Sequence, residues 1–354
     1  MQHQYKNRSA HVGRRQFLAG LGVAGVGFAL GSARASAAER DVSITPATER
    51  AVQRGLAFLA REQKTGGQWG GSFGGTGYGA GVAVTSLSGL AMMCSGDPPG
   101  EGVYGQHIDR CVDFILRNVQ DTGFISVNNG MDQMYGHGFG TLFLSQAYGM
   151  RRRDDVRVKL KKAVELIVST QNDQGGWRYQ PRKSDADLSI TVCQIMALRA
   201  AADAGLSVPL ATRARAIDYV KKSQRPDGSF IYTLPQGQAT FPLSAAGVVS
   251  LYSAGIYTGR EVESGLRYLM KFLPGKSQNS VGHYFYGHYY AAQAMWHAGD
   301  DYWRKWYPAI CDELLPKQQS DGSWPDPSVS PHFGTAVACI ILQMPNNFVP
   351  IFAE

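Results

Sequence analysis

The sequence predicts an all-α protein, an (α/α)6 toroid in which six helical hairpins form a barrel within a barrel. Three observations carry this. Charged amphipathic segments alternate with segments free of Asp, Glu, Lys and Arg. The alternation recurs about every 50 residues. A sixteen-residue pattern repeats, spacing intact, where one kind of segment gives way to the other.

The amphipathic segments run at 47–63, 107–121, 156–171, 210–224, 259–273 and 302–318. In the first, Val52, Leu56 and Leu59 fall on one stripe, and Leu160, Val164 and Ile167 do the same in the third. The uncharged segments run at 81–96, 137–150, 188–198, 241–255, 286–299 and 332–344. A helix apolar on every side is buried on every side, and these are too short and too rich in Ser, Gln and Gly to span a bilayer. One arrangement satisfies every face: charged helices outside, uncharged helices within, the hairpins closing on themselves.

The chain of 354 residues opens differently. Residues 1–38 hold no acidic residue and five basic ones, Lys6, Arg8, Arg14, Arg15 and Arg34, with a Gly/Ala/Leu/Val run after Arg14-Arg15 and small-residue sites near Ala35 and Ala37. This reads as a twin-arginine export signal and predicts a periplasmic or other extracytoplasmic location for the single domain, 39–354. It also explains the formal charge of +7: without those residues 30 Lys+Arg stand against 28 Asp+Glu. No basic cluster interleaved with aromatics remains, so nucleic-acid binding is set aside. Five cysteines are scattered without CxxC or CxxH spacing. In an oxidising compartment Cys94 with Cys111, or Cys311 with Cys339, are candidate pairs if geometry allows.

The repeated pattern is Arg-Gly-x2-Phe-Leu-x3-Gln-x3-Gly-x-Trp at 54–69, with copies at 162–177 and 215–230. A helix ends, the Gln engages helix-end backbone groups, a Gly turns the chain, and an aromatic packs over the joint. The register marks Gln63, Gln171, Gln224 and Gln318; the second copy is eroded and ends at Gly123-Phe124, the fifth has Leu273 where Gln would stand, and the sixth keeps Gln318, Gly322 and Trp324 with a displaced helix frame.

This pattern resembles the QW repeat of squalene-hopene and oxidosqualene cyclases, shared with the prenyltransferase and squalene oxidase repeat group. The resemblance marks the superfamily more than any one activity. It covers the chain after residue 38 as one toroid, whereas triterpene cyclases use two with the reaction cavity between them. It implies an exported protein that binds a hydrophobic isoprenoid, triterpenoid or polyprenyl, with peripheral membrane contact and acid-initiated cyclase-type chemistry as further implications.

In such a toroid the inner helices start at one mouth, so residues at their N-termini converge in the field of six helix ends. That register holds Tyr78, Tyr135 with His137, Asp185 with Asp187, Phe241, Tyr286 with His288, and His332. Protonating an alkene requires a carboxylic acid kept neutral yet poised to donate. Squalene-hopene cyclases carry Asp-x-Asp-Asp-Thr at a comparable helix start; by that match Asp187 stands for the proton donor and Asp185 for its support, with Leu188 in place of the third Asp. The alternative for Asp187 is an N-cap of the third inner helix.

Three histidines in equivalent positions are weighed against zinc, which protein prenyltransferase β subunits hold through Asp, Cys and His. Here no Asp-x-Cys occurs and Cys193 lies deeper in its helix, so the expectation is no metal and no cofactor, each His capping or packing a helix start. Tyr289 and Tyr290, with Tyr284, Phe285, Trp296, Phe139, Phe143 and Phe333, line an apolar cavity or fill the core. Substrate contact is expected of Tyr135, His137, Phe241, Tyr286, His288, Tyr289, Tyr290 and His332.

Two other readings stand beside this one. A polysaccharide lyase or hydrolase on the same barrel needs paired carboxylates, or a base with calcium, in a polar groove that the inner segments do not supply. A non-catalytic binding or scaffold protein fits the missing third Asp. No nucleophile elbow, phosphate loop or dinucleotide fingerprint occurs.

Overall fold

The computed structural model describes residues 43–70, 81–127, 134–275 and 282–352; the export segment and Tyr78 lie outside the described residues. Among the described residues no strand occurs and twelve α-helices do: α1 (Pro46–Glu62), α2 (Gly81–Met93), α3 (Gly105–Arg117), α4 (Met134–Met150), α5 (Asp154–Thr170), α6 (Leu188–Asp203), α7 (Leu210–Lys222), α8 (Phe241–Ser253), α9 (Arg260–Leu269), α10 (Tyr284–Ala298), α11 (Asp300–Leu314) and α12 (Pro331–Gln343). These are the twelve expected segments, in the expected order.

Burial separates the two rings. Every residue of α8 is buried, whereas α7 buries only Thr212, Ala216, Tyr219 and Val220. The even-numbered helices pack each on the next, α2 to α4 and on to α12, and α12 packs back on α2. The first outer helix, α1, packs against α12, so the outer ring closes at the same place. The toroid fold is therefore complete rather than an open solenoid.

The repeated pattern forms the joints at the upper end, where outer helices stop. Gln63, Gln171, Gln224 and Gln318 each donate Nε2 to two carbonyls. One belongs to the Gly four residues on, and the other is in the next outer helix: His107, Thr212, Glu261 and Ala51, at 2.8 to 3.0 Å. The side chain thus ties each outer helix to its neighbour, where the sequence pointed only to helix-end groups. In three of the four, Oε1 accepts from an arginine of that neighbour: Arg110 on Gln63 at 2.7 Å, Arg215 on Gln171 at 2.6 Å, and Arg54 on Gln318. The Arg that opens two copies of the pattern therefore serves the preceding joint.

Each Trp sits in the wedge behind. The indole Nε1 of Trp69, Trp177 and Trp324 donates to Leu59, Ile167 and Leu314 respectively, at 2.8 to 2.9 Å. The intervening Gly is obligatory. At Gly175, φ is +93° and a Cβ would stand 2.2 Å from the Arg215 carbonyl oxygen.

The lower end is closed by residues 350–352. The turn Pro350–Phe352 packs on α6, the Ile351 amide donates to Gln146 Oε1 of α4 at 3.1 Å, and Trp296 Nε1 of α10 donates to the Phe352 carbonyl at 2.9 Å. Ile351 and Phe352 are both buried. No helix among the described residues is long and apolar enough to cross a membrane.

The candidate disulfides do not form: all five cysteines are free and buried. The thiols are packed into separate contacts. Cys111 Sγ accepts from Gln63, and Cys339 Sγ presses on Gly55.

Candidate functional site

The upper mouth is built around the start of α6. The joint after α5 runs through Trp177, and its chain returns so that the Asp187 amide donates to the Trp177 carbonyl at 3.0 Å, while the Leu188 amide donates to the Tyr232 carbonyl at 2.8 Å. Asp187 is thereby fixed as the N-cap of α6. Its Oδ1 accepts from the Ile190 amide at 2.9 Å and from Ser189 Oγ at 2.5 Å. The side chain is completely buried and Oδ2 makes no hydrogen bond.

Burial raises the Asp187 pKa above the usual carboxylate range; the bonds from Ser189 and Ile190 and the Arg178 charge pull the other way without cancelling it. The N-cap reading of this residue is the one the geometry shows. It caps the helix, and it is a carboxyl biased toward its neutral form.

Asp185 is placed differently from the supporting carboxylate expected of it. Its side chain is 69% exposed and pairs with Arg178 Nε at 3.5 Å, while Arg178 Nη1 lies 3.7 Å from Asp187 Oδ2. A cation therefore stands between the two acids, and low dielectric alone, not like-charge repulsion, holds Asp187 up.

Arg178 is itself held over the rings of Tyr179 and Tyr232, at 5.0 and 5.5 Å, and these two hydroxyls bond to each other. It was missed in the sequence, although a signal existed. Where Arg178 follows Trp177, the other two intact copies have Gly70 and Ile231 after their aromatics, and Pro325 follows Trp324.

From this corner aromatic side chains cross the lumen. Tyr135 on α4 donates to Ser189 Oγ at 2.5 Å, and its ring meets Tyr286 on α10, the helix opposite in the inner ring, at 6.4 Å. Tyr286 also donates to the Ser189 carbonyl at 3.3 Å and packs on Tyr290 at 4.9 Å. Tyr290 reaches Cys193 Sγ at 3.4 Å. One turn lower Phe139 faces Tyr289 at 6.0 Å, and Tyr289 meets Phe352 at 6.3 Å. Side chains therefore take up the space in which an apolar cavity was expected at these levels. Tyr289 and Tyr290 are buried, while Tyr135 and Tyr286 keep partial exposure at the mouth.

The remaining expected contacts face away from the lumen. His137 is sealed between α4 and the outer wall: Nδ1 accepts from the Ile125 amide at 3.2 Å and Nε2 donates to the Ala163 carbonyl of α5 at 3.2 Å. His288 packs among Tyr284, Phe241 and Trp306 of α11. His332 stacks on Phe58 of α1, with Nδ1 3.3 Å from the Gly70 carbonyl. Phe241 is wedged between Phe272 and His288. The shared register is real, but it points three histidines outward into three separate inner–outer joints. Among the described residues no group of His, Cys, Asp and Glu is placed to hold a metal ion.

This placement has a consequence for acid stability. Desolvation lowers the pKa of His137 and of His288 to about 4, from 6.5. A depressed histidine contributes fully above the unfolded value, and its contribution is lost as pH falls from 6.5 toward 4. Each is worth of order 3 kcal/mol over that window. Urea unfolding at pH 7 and pH 4.5 should show the chain markedly weaker in acid, with His288→Phe removing a large part of the difference. An unchanged pH dependence in that variant contradicts this account.

Outside the mouth, a groove of about 680 Å³ lies between the joint before α6 and the turn before α8, lined by Asn172, Arg178, Lys183, Asp185, Tyr232 and Leu234 among others. It is the polar surface of the site, as the tyrosine column is the apolar one.

Comparison with known proteins supports the fold and stops there. No family model matches the chain, and no curated protein does. Among solved structures, a variant of the type II terpene cyclase MstE from Scytonema, in complex with geranylgeranyl dihydroxybenzoate, is similar with a TM-score of 0.63 at 13% identity, over 86% of this chain and 98% of that one. A family 76 glycoside hydrolase, a mannosidase from Bacteroides thetaiotaomicron, is similar with a TM-score of 0.64 at 11% identity, over 84% and 97%. An alpha-amylase from Clostridium perfringens is similar with a TM-score of 0.60 at 10% identity, over 85% and 99%. The chain shares its toroid with a terpene cyclase and with glycoside hydrolases alike.

Proposed function

We propose that this chain binds a hydrophobic isoprenoid in the upper lumen and draws on Asp187 as the source of an acid proton, in the manner of a cyclase. The observation that carries this is the pairing of a fully buried carboxyl, its pKa raised by burial, with a column of tyrosines whose faces suit an apolar chain and a developing cation. Tyr286, partly exposed at the mouth, is the side chain that turns to admit the ligand. The export reading of residues 1–38 places this binding outside the cytoplasm.

Organic-solvent extraction of the purified full chain, followed by mass spectrometry, tests the binding. A co-purifying polyprenyl or triterpenoid is expected. A clean extract, together with binding of a mannan or starch oligosaccharide, favours the second reading, a carbohydrate-active toroid. That reading has one specific support, the polar groove beside Arg178 and Asp185.

A further inference from the structure

Asp187 does not itself reach the lumen. It is completely buried, Oδ1 is engaged by Ile190 and Ser189, and Oδ2 faces Arg178 on the side of the outer groove. The group at the lumen end of its hydrogen-bond chain is the Tyr135 phenol. Ser189 Oγ lies 2.5 Å from Asp187 Oδ1 and 2.5 Å from the Tyr135 hydroxyl, and the Tyr135 ring meets Tyr286 across the lumen.

We propose that the proton exchanged between Asp187 and the ligand passes through the hydroxyls of Ser189 and Tyr135, so that the atom touching the ligand is the phenol oxygen of Tyr135. This deepens the acid reading of Asp187 and rests on it. Both intermediates are hydroxyls, each able to accept one proton while giving another, and both links are at the short end of O–H···O distances. In delivery, the Asp187 proton moves from Oδ1 to Ser189 Oγ, the Ser189 proton to the Tyr135 oxygen, and the Tyr135 proton to an alkene carbon. The alkene π pair forms the new C–H bond and the adjacent carbon becomes cationic. Asp187 is left as a carboxylate opposite Arg178. In the structure the hydroxyls point the other way, phenol to serine to carboxyl, which is the direction of return. A C–H bond of the cation breaks, its electron pair forms the product alkene, and the proton travels back to Asp187 with no oxidant or reductant required.

Ser189 and Tyr135 differ in role. Tyr135 touches the ligand and is catalytic in this scheme, whereas Ser189 acts through it. The N-cap bond from Ile190 holds Oδ1 still, so the distance to Ser189 is set by the helix and not by the ligand.

The test uses the full chain and two readouts. The first needs no ligand: the C=O stretch of the protonated Asp187 carboxyl, identified in infrared pH-difference spectra by its loss in Asp187→Asn. Ser189→Ala is expected to shift this band, Tyr135→Phe to shift it by less, and Ser189→Thr to restore it. The second uses geranylgeranyl dihydroxybenzoate as probe in D2O, reading deuterium in any product. Ser189→Ala and Tyr135→Phe should lose about 10²-fold or more of turnover with probe affinity within about threefold of wild type, as removal of a proton-transfer partner requires. Ser189→Thr should retain activity. A band unmoved by Ser189→Ala, or wild-type turnover in either hydroxyl-deleted variant, overturns the relay. If the wild type leaves the probe unchanged, the cyclase reading fails for that probe while the infrared result still decides whether the three groups are coupled.

Discussion

Trp324→Ala lowers the stability of the chain by about 3–5 kcal/mol, a large share of the 5–15 kcal/mol typical of a folded protein. Trp324 is fully buried, donates Nε1 to the Leu314 carbonyl at 2.8 Å, and donates its backbone amide to Thr335 Oγ1 at 3.0 Å. Its indole also presses on α1, since a Cβ on Gly55 would stand 2.8 Å from it. Truncation leaves a cavity and an unpaired carbonyl where the last hairpin meets the first. Trp69 and Trp177 occupy equivalent wedges between consecutive hairpins, but only Trp324 lies where the ring closes. Urea unfolding checks this: a loss near 1 kcal/mol would show that closure does not depend on the indole.

Asp187→Asn removes about 10²–10⁴-fold of any acid-initiated turnover while leaving stability at neutral pH unchanged or higher. Asn caps a helix about as well as Asp, so the bond from the Ile190 amide survives, and the buried ionisable group is gone. The sign follows from the raised pKa. A carboxyl whose folded value exceeds 3.8 is less stable ionised in the fold, so stability rises as pH falls through that folded value. Asp187→Asn erases this gain, which runs opposite to the histidine losses. Asp187→Ala lacks the cap oxygen and costs about 1 kcal/mol. Product formation by Asp187→Asn at the wild-type rate removes Asp187 from the chemistry.

The placements of the three histidines and the two aspartates share one physical origin. His137, His288 and His332 occupy equivalent places along their helices, yet a helix start has two sides, and these three turn toward the outer ring. Linear register gives the height of a residue in a toroid and says nothing about its direction. Asp185 and Asp187 are two residues apart, but the first is on the loop and the second is the cap, so the same short stretch yields one solvated and one buried carboxyl. Arg178, Ser189 and Cys193 carry no motif of their own. Each matters only because of what the fold sets against it.

The division between the rings was legible from residues alone because it depends on composition: a helix without charges has no face to give to water, and one with charges on a single side has no choice about which side to bury. The joints were legible because a left-handed Gly, a Gln and a Trp at constant spacing impose local geometry. Contacts between residues far apart in the chain were decided only in three dimensions. The Gln bonds to the next helix, the tyrosines meeting across the lumen and the turn at 350–352 sealing the lower end each depend on the distance between elements that no local pattern encodes. The elevated acidity threshold of Asp187 belongs with them, since desolvation is a property of everything packed around a group.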